Sequence, residues 1–342
     1  MKVPRIFSFL GFASVFALFL FDSVQAEDTV TLYTQRHYEF DEKLHEEFTE
    51  KTGIKVEVVK ATADELIARL EQEGENSPAD LFMTADAGGL DRASKAGLLA
   101  AMPASLLESV PDRLHDPESL WTAITQRARV LAYSKDRVKA SDLSTYEALA
   151  DAKWKGRLSI RSSSNIYNQS LMTTIIEAND AETAEAWAKA VRGNMARPPQ
   201  GSDRDQIRAV AAGLADVALV NTYYVGLLEN SSEKKDQDAA AAVSIFFPNQ
   251  DGRGAHVNIS GVGILKSSKN PEAAAKLIEF LLSPETQAQY PNATYEYPVV
   301  DGVAWSEIQE RWGKFKADEV PLKVLGERNA EAVRLFNKAG WE

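Results

Sequence analysis

Hydrophobic and polar positions after residue 28 follow two alternating periods, which predict strands and helices in turn. Short apolar runs of strand length alternate with segments in which apolar residues recur every three or four positions, as Phe40, Leu44 and Phe48 do. Gly53 ends that segment as a natural helix cap. The predicted strands here are 29–34, 54–60 and 81–84, and the other predicted helices are 63–73 and 88–96. This alternation favours parallel strands with helices on both faces of the sheet.

The same alternation returns after a polar, proline-containing stretch at 103–118. The predicted strands of this part are 128–133, 158–160, 217–220, 242–247 and 261–265. The predicted helices are 167–178, 181–192, 203–212, 271–282, 284–290 and 330–339. Residues 231–242 are predicted to form a surface loop. The order of elements predicts two α/β lobes with chain crossings between them.

Residues 1–26 have the layout of a secretory signal peptide. Lys2 and Arg5 precede an apolar stretch at 6–21, and cleavage is expected between Ala26 and Glu27. The alternative is an uncleaved membrane anchor with the same apolar length. Attachment through a lipid is excluded because lipidation needs a cysteine and the chain has none. These features predict an exported protein.

Composition narrows the classes of function. The chain has 342 residues, of which 44% are hydrophobic and 26% charged, and this length favours two lobes over one core. Without cysteine, an exported protein depends on burial for its stability, and thiolate metal sites, thiol nucleophiles and iron–sulfur clusters are excluded. The net charge of −12 disfavours binding of nucleic acid and suits a cation.

Sets of catalytic residues are missing from the sequence. The histidines have no metal-ligand spacing on a helix, and there is no Gly-x-Ser-x-Gly elbow, phosphate-binding loop or dinucleotide fingerprint. The histidines are His37, His45, His115 and His256. The sequence therefore does not predict an enzyme.

Tyrosines follow the carboxyl ends of three predicted strands. Tyr38 comes after the first strand, Tyr167 after the strand ending at Ile160, and the Tyr223-Tyr224 pair after the strand ending at Val220. In open parallel sheets, ligands bind beyond the carboxyl ends of the strands. We therefore expect these tyrosines to converge across a cleft between the lobes.

Phenolate oxygen is a hard, anionic donor that suits a hard trivalent ion. A free phenol has a pKa of about 10, so its ionisation at neutral pH costs about 4 kcal/mol, which a bound Fe3+ can offset. Four phenolates around Fe3+ leave one excess negative charge, and Arg127 and Arg129 are candidates to balance it because alternate strand residues share a face. The Tyr223-Tyr224 pair also suits packing or cleft lining, and His37 also suits a surface position at a helix end.

These segments resemble the periplasmic ferric-iron-binding proteins of ABC importers, in particular the subgroup that holds iron in a tyrosine-rich clamp. The resemblance covers nearly the whole chain after the leader. It is carried by segments 33–38, 84–88, 221–224 and 296–299. It implies a type II periplasmic binding protein fold, in which hinge strands join two α/β lobes. We predict an N-terminal lobe from 27–127 plus 248–290 and a C-terminal lobe from 128–247 plus 291–342.

The resemblance also implies a set of metal ligands. By motif matching, Tyr38 comes from the first lobe and Tyr167, Tyr223 and Tyr224 from the second. His37 matches a position that binds iron in some members and only lies nearby in others.

Two positions depart from other members of that family. Another branch has a glutamate ligand in the turn where this chain has Asp86 and small residues, so no such ligand is expected here. Leu227 stands where some members have an arginine. The excess charge is then expected to be balanced by Arg36, Arg127, Arg129 or a bound carbonate.

The expected function is capture of Fe3+ by a periplasmic, monomeric binding protein that delivers it to the membrane permease of an ABC importer. The alternative is a binding protein for a small organic solute such as thiamine, stacked on the rings of Tyr223 and Tyr224. An exported hydrolase would need a catalytic set that the sequence lacks.

Overall fold

The computed structural model describes Met1, residues 29–36 and residues 38–341. The predicted signal peptide, apart from Met1, lies outside the described residues, and so does His37. The strands are β1 Thr29–Thr34, β2 Lys55–Lys60, β3 Leu81–Thr84, β4 Leu99–Ala100, β5 Thr122–Ser134, β6 Leu158–Ser159, β7 Val217–Asn221, β8 Val243–Phe246, β9 Val257–Leu265 and β10 Tyr297–Pro298. The helices are α1 Glu39–Thr52, α2 Ala63–Glu73, α3 Ala87–Lys95, α4 Ile166–Ala178, α5 Ala181–Asn194, α6 Asp203–Ala211, α7 Thr222–Glu229, α8 Lys234–Ala241, α9 Pro271–Leu282, α10 Pro284–Gln287, α11 Tyr290–Ala293, α12 Glu307–Trp312, α13 Val324–Glu327 and α14 Asn329–Lys338.

The strands form one path in the order β2-β1-β3-β9-β5-β7-β6. Parallel pairing, as predicted, joins β1 to β2 and β3, and β6 to β7. The strands in the middle of the path pair antiparallel: β3 with β9, β9 with β5, and β5 with β7. The two parallel groups are thus joined through β5 and β9.

Strand β5 connects the two halves of the molecule. Its first part, 122–128, pairs with β9, and its second part, 129–133, pairs with β7. The sequence predicts only 128–133 because the preceding residues include polar Thr122, Thr125 and Arg127. These three side chains are buried, so the polar half of β5 lies in the interior.

The hydrophobic core of the described residues is divided between the two ends of this path. A first cluster includes Leu32, Phe48 and Leu90, and further clusters pack on either side of the β5–β7 pair, around Leu131 and Val220. The predicted lobe boundaries stay a prediction. The cluster around Leu131 is called the second-lobe core below. The end of the chain contributes to both cores: the first cluster contains Val299, Val300, Leu322 and Leu325, and the second-lobe core contains Ala332, Leu335, Phe336 and Trp341.

Local signals set several helix ends as predicted. Gly53 follows α1 with a φ of 73°, and its N–H donates to the Thr49 carbonyl, a geometry that a residue without a β-carbon adopts most readily. Helix α9 begins at Pro271, whose missing N–H costs nothing in the first turn.

The prediction of a surface loop at 231–242 is wrong, because Lys234–Ala241 form helix α8. Alanine, lysine and glutamine favour helix, and Asp236 accepts two hydrogen bonds from Arg208 of α6, at 2.8 and 3.0 Å. The helix predicted at 284–290 is instead two short helices, α10 and α11.

Candidate metal site

The predicted tyrosines stand at the starts of three helices. Tyr38 precedes α1 in an extended conformation, with φ −74° and ψ 138°. Tyr167 is the second residue of α4, and Tyr223 and Tyr224 lie in the first turn of α7. Helices α4 and α7 follow β6 and β7, which pair in parallel, so both helix starts lie at the same edge of the sheet.

The four tyrosines come together across the cleft. The Tyr223 hydroxyl donates to the Tyr167 hydroxyl at 3.2 Å. The centre of the Tyr223 ring lies 4.3 Å from that of the Tyr224 ring and 6.4 Å from that of the Tyr38 ring, to which it is nearly perpendicular. All four line one cavity of about 700 Å³, to which both sides of the cleft contribute.

Burial makes three of these phenols harder to ionise in the metal-free protein. It raises the pKa of Tyr38 well above its ordinary value, and the nearby carboxylate of Glu296 adds to this rise. The pKa of Tyr223 is raised by burial and by the neighbouring tyrosines, and that of Tyr224 by burial and by Tyr167. A ligand that binds these phenolates must therefore supply enough positive charge to displace their protons.

The predicted charge-balancing residue Arg36 is already paired. Its guanidinium donates twice to Asp41, at 3.0 and 3.1 Å, and once to Glu296 at 2.8 Å. The guanidinium carbon lies 4.7 Å from the centre of the Tyr38 ring. Since two carboxylates offset its one charge, Arg36 orients the Tyr38 segment but brings no net positive charge to the cleft.

Arg129 is paired as well, and it joins three elements beneath the site. It donates to Asp203 of α6 at 2.6 Å, to Asn168 of α4 at 2.7 Å and to Asn221 of β7 at 3.0 Å. Arg129 is 1% exposed and Asp203 is fully buried. The pair thus fixes the starts of α4 and α7, which carry the second-lobe tyrosines.

Arg127 differs from the other two arginines. Among the described residues it has no carboxylate partner; it donates to the Ala85 carbonyl, and its buried Nη1 atom has no partner. Its guanidinium carbon lies 5.4 Å from the centre of the Tyr167 ring, and that of Arg129 lies 5.9 Å from it. Arg127 therefore brings an uncompensated positive charge to the tyrosines.

Sequence reasoning missed four charged residues at the site. The guanidinium carbon of Arg161 lies 5.8 Å from the centre of the Tyr167 ring, and its Nη1 atom lies 3.5 Å from Asp203. Exposed Glu39 and Arg204 line the cavity, and Glu296 accepts a hydrogen bond from Arg36. Of these residues, only Glu296 belongs to a segment that carries the resemblance to the ferric-iron-binding proteins. That segment did not indicate that Glu296 pairs with Arg36.

The turn after β3 offers no carboxylate to the cavity. Ala85 lines the cavity, whereas the Oδ2 atom of buried Asp86 accepts hydrogen bonds from Ser170 and Asn258, both at 2.6 Å. Within the described part of the chain, no group of three or more histidine, cysteine, aspartate or glutamate side chains could hold a metal ion. Exposed Glu39 also lines the cavity, but the oxygen donors that come together there from both sides of the cleft are the phenols.

The other six tyrosines do not line the cleft cavity. Tyr33 is buried in β1 and donates to Glu73, and the Tyr146 hydroxyl donates to the Arg129 carbonyl. Tyr297 packs against Trp305. Tyr133, Tyr290 and Tyr295 are likewise not among the cavity-lining residues.

This fold and site are those of a solute-binding protein. The family of bacterial extracellular solute-binding proteins matches residues 33–288, and the chain belongs to that family. None of the described helices has the length and apolar character needed to cross a membrane.

The relatives that this chain resembles are proteins of iron uptake. It is 47% identical to iron uptake protein A1 of Synechocystis, over 94% of this chain and 89% of that protein. It superposes with a TM-score of 0.87 on a Trichodesmium protein (IdiA, FutA) in complex with iron and citrate, at 49% identity over 92% of this chain and 100% of that one. The ferric binding protein of Campylobacter jejuni gives the same TM-score and coverage at 44% identity. These likenesses confirm the predicted two-lobe α/β fold.

Proposed function

We propose that this protein captures ferric iron between its two lobes and delivers it to the membrane permease of an ABC importer. The observation that carries the proposal is the meeting of Tyr38 with Tyr167, Tyr223 and Tyr224 at one cavity. Their oxygens are hard donors, which suit a small trivalent ion. The iron-related names of its relatives support the same solute.

Charge balance supports Fe3+ with Arg127 beside it. Four phenolates and one Fe3+ leave a single negative charge. Arg36 and Arg129 are each offset by carboxylates, whereas Arg127 is not. Arg127 is therefore the best-placed cation to balance the complex, beside Arg161, which shares Asp203 with Arg129. A carbonate ion would add negative charge that exposed Arg204 at the cavity can meet.

His37 directly precedes Tyr38 and would supply a further, nitrogen donor from the first lobe. Neutral imidazole is a common ligand of iron. The set His37, Tyr38, Tyr167, Tyr223 and Tyr224 would then surround the ion from both lobes.

The arrangement of the rings speaks against a stacked organic solute. The Tyr223 and Tyr224 rings pack against each other with their centres 4.3 Å apart, and the Tyr38 and Tyr223 rings are nearly perpendicular. A flat solute such as thiamine could not insert between Tyr223 and Tyr224 without separating them.

The protein acts outside the cytoplasm, in the periplasm. The predicted signal peptide and the membership of an extracellular binding-protein family support this location. Its partner is the permease that receives the iron. One chain supplies both sides of the cleft, so the site needs no second subunit, and a monomer is the state expected in solution.

Titration of the purified protein with Fe3+ tests the function. We expect an orange-red colour from phenolate-to-iron charge transfer, saturation at one ion per chain, and loss of colour on reduction. Thiamine, titrated in parallel by calorimetry, should give no heat of binding. A colourless iron titration together with saturable thiamine binding would overturn the proposal.

A further inference from the structure

Helix α4 carries a polar contact one turn after Tyr167. Ser170 follows Tyr167 by three positions, so the two side chains lie on neighbouring parts of one helix face. Ser170 is fully buried, and its hydroxyl donates to the Oδ2 atom of Asp86 at 2.6 Å. A movement of this contact would move Tyr167 with it, because both belong to the same helix.

The contact joins the two lobes. Asp86 precedes α3, whose Ala87 and Leu90 pack in the first core cluster, whereas Leu171 and Met172 of α4 pack in the second-lobe core. The bond between Asp86 and Ser170 therefore exists only while the lobes are together at this point.

The crossing strand β9 takes part in the same contact. Asn258 of β9 donates to Asp86 Oδ2 at 2.6 Å, and its own Oδ1 accepts from the Ala87 N–H at 3.1 Å and the Ile259 N–H at 2.8 Å. Asp86 thus ties the first-lobe turn both to the strand between the lobes and to the helix of the second lobe.

Asp86 has little freedom to find other partners. It is 1% exposed, has no ion pair among the described residues, and its Oδ1 atom is buried without a hydrogen-bond partner. A β-carbon at Gly88 would lie 2.7 Å from that Oδ1 atom, which shows how closely the turn encloses the carboxylate. A buried carboxylate depends on its remaining donors, so loss of one of them disfavours the closed arrangement.

We propose that Asp86 and Ser170 are positioning residues of the metal site: their hydrogen bond holds α4, and with it Tyr167, against the first lobe when the cleft is closed. The proposal rests on the proposed function for the identity of the metal. Neither residue lines the tyrosine cavity, so the effect on iron would be indirect, through the fraction of protein in the closed form.

The experiment compares Ser170→Ala with Thr174→Val. Thr174 lies one turn further along α4 and is also buried; within the described part of the chain it donates only to the Leu171 carbonyl of its own helix, at 2.8 Å. Both variants remove one buried hydroxyl, but only Ser170→Ala breaks the contact between lobes. The double variant with Asp86→Ala tests whether the two residues act through one bond.

Iron release to excess chelator is followed by the loss of the visible band, and the melting temperature is measured without iron. We expect Ser170→Ala to release iron about tenfold faster than the wild type, because loss of one hydrogen bond to a charged group changes an equilibrium by about that factor. Thr174→Val should release iron like the wild type, both single variants should melt alike, and Asp86→Ala should add little to Ser170→Ala.

Equal release from Ser170→Ala and Thr174→Val, with an iron-binding wild type, would overturn the positioning role while leaving the proposed function intact. Absence of iron binding in the wild type would instead overturn the proposed function. Faster release accompanied by an equally large fall in the iron-free melting temperature would show general destabilisation and would also contradict the positioning role.

Discussion

At the residue scale, the ionisation of the cleft tyrosines depends on their burial and on the charged residues around them. Burial raises the pKa values of Tyr38, Tyr223 and Tyr224, so the iron-free site is a set of neutral phenols and not a cluster of anions. This avoids repulsion between phenolates before the metal arrives. Each phenol that binds the ion must release its proton, which couples iron binding to pH.

Tyr223→Phe is expected to keep the fold and to weaken iron binding by more than about 100-fold. Loss of a residue that only supports a metal ligand lowers metal affinity by up to about 100-fold, and loss of a ligand itself should lower it further. The ring and its contact with Tyr224 stay, and only the donor oxygen is lost. The measurement is competition with citrate for Fe3+. Tyr133→Phe, which removes a phenol outside the cleft cavity, should bind iron as the wild type does. Unchanged affinity in Tyr223→Phe would contradict the assignment.

Arg127→Gln and Arg129→Gln should separate charge balance from folding. Arg127→Gln removes a cation that has no carboxylate partner in the part of the chain that the structure describes, so we expect iron affinity to fall about 10- to 100-fold with little loss of stability. Arg129→Gln leaves buried Asp203 without its main partner, which costs about 3–5 kcal/mol of unfolding free energy. Urea unfolding and iron titration of both variants test this. Equal losses of iron affinity and of stability in the two variants would show that Arg127 has no special role in balancing the charge of the site.

At the element scale, the site is built from the first turns of helices, and packing against neighbouring elements fixes the positions of these turns. Helix α7 carries Tyr223 and Tyr224 on its first turn and leaves no room at Gly226, where a β-carbon would lie 2.5 Å from the Tyr295 ring. This close approach lets α7 pack against the segment before Glu296, the residue that holds Arg36 on the other side of the cleft. The position of the tyrosine pair therefore depends on a glycine three residues after Tyr223.

Gly226→Ala is expected to destabilise the protein by about 1–3 kcal/mol through overpacking, and to weaken iron binding because α7 must shift. Gly193→Ala is the matched control: Gly193 lies in α5 and is exposed, and no neighbour among residues 29–36 and 38–341 lies within 4 Å of the added carbon. That change should raise stability by about 0.5–1 kcal/mol, since alanine favours helix over glycine. Urea unfolding of the two variants gives both values, and a stable Gly226→Ala protein would show that Tyr295 moves away freely.

At the scale of the whole molecule, the two lobes meet through β5, β9 and the contact between Asp86 and Ser170. Iron that bridges the tyrosines of both lobes binds the native closed form and not the unfolded chain. Binding should therefore raise the melting temperature as the Fe3+ concentration rises. It should also draw the lobes together, since Tyr38 approaches the other three tyrosines only across the cleft.

Acidification should release the iron cooperatively. Because the pKa values of Tyr38, Tyr223 and Tyr224 lie above their ordinary value, their oxygens take up protons readily, and a fall in pH favours the neutral phenols over the complex. Release should be complete well above the range in which carboxylates protonate, near pH 4. The visible band followed against pH tests this. Full colour at about pH 3 would contradict proton competition at tyrosines and point to carboxylate ligands.

Sequence alone determined the alternation of strands and helices, the parallel groups β1–β3 and β6–β7, and the tyrosines placed after strand ends. These follow from short-range periodicity and from helix caps such as Gly53 and Pro271, which act within a few residues. The same short-range signals failed in the polar half of β5 and in α8. There, burial of Thr125 and the pairing of Asp236 with Arg208 come from partners distant in the chain.

Only the tertiary structure decided how the charges of the site are used. Arg36, Arg127 and Arg129 look equivalent in the sequence, but two of them are neutralised by Asp41, Glu296 and Asp203, and Arg127 is not. The bond from Ser170 to Asp86 spans 84 positions in the chain. Such pairings depend on which elements the fold brings together, and no local pattern of residues encodes them.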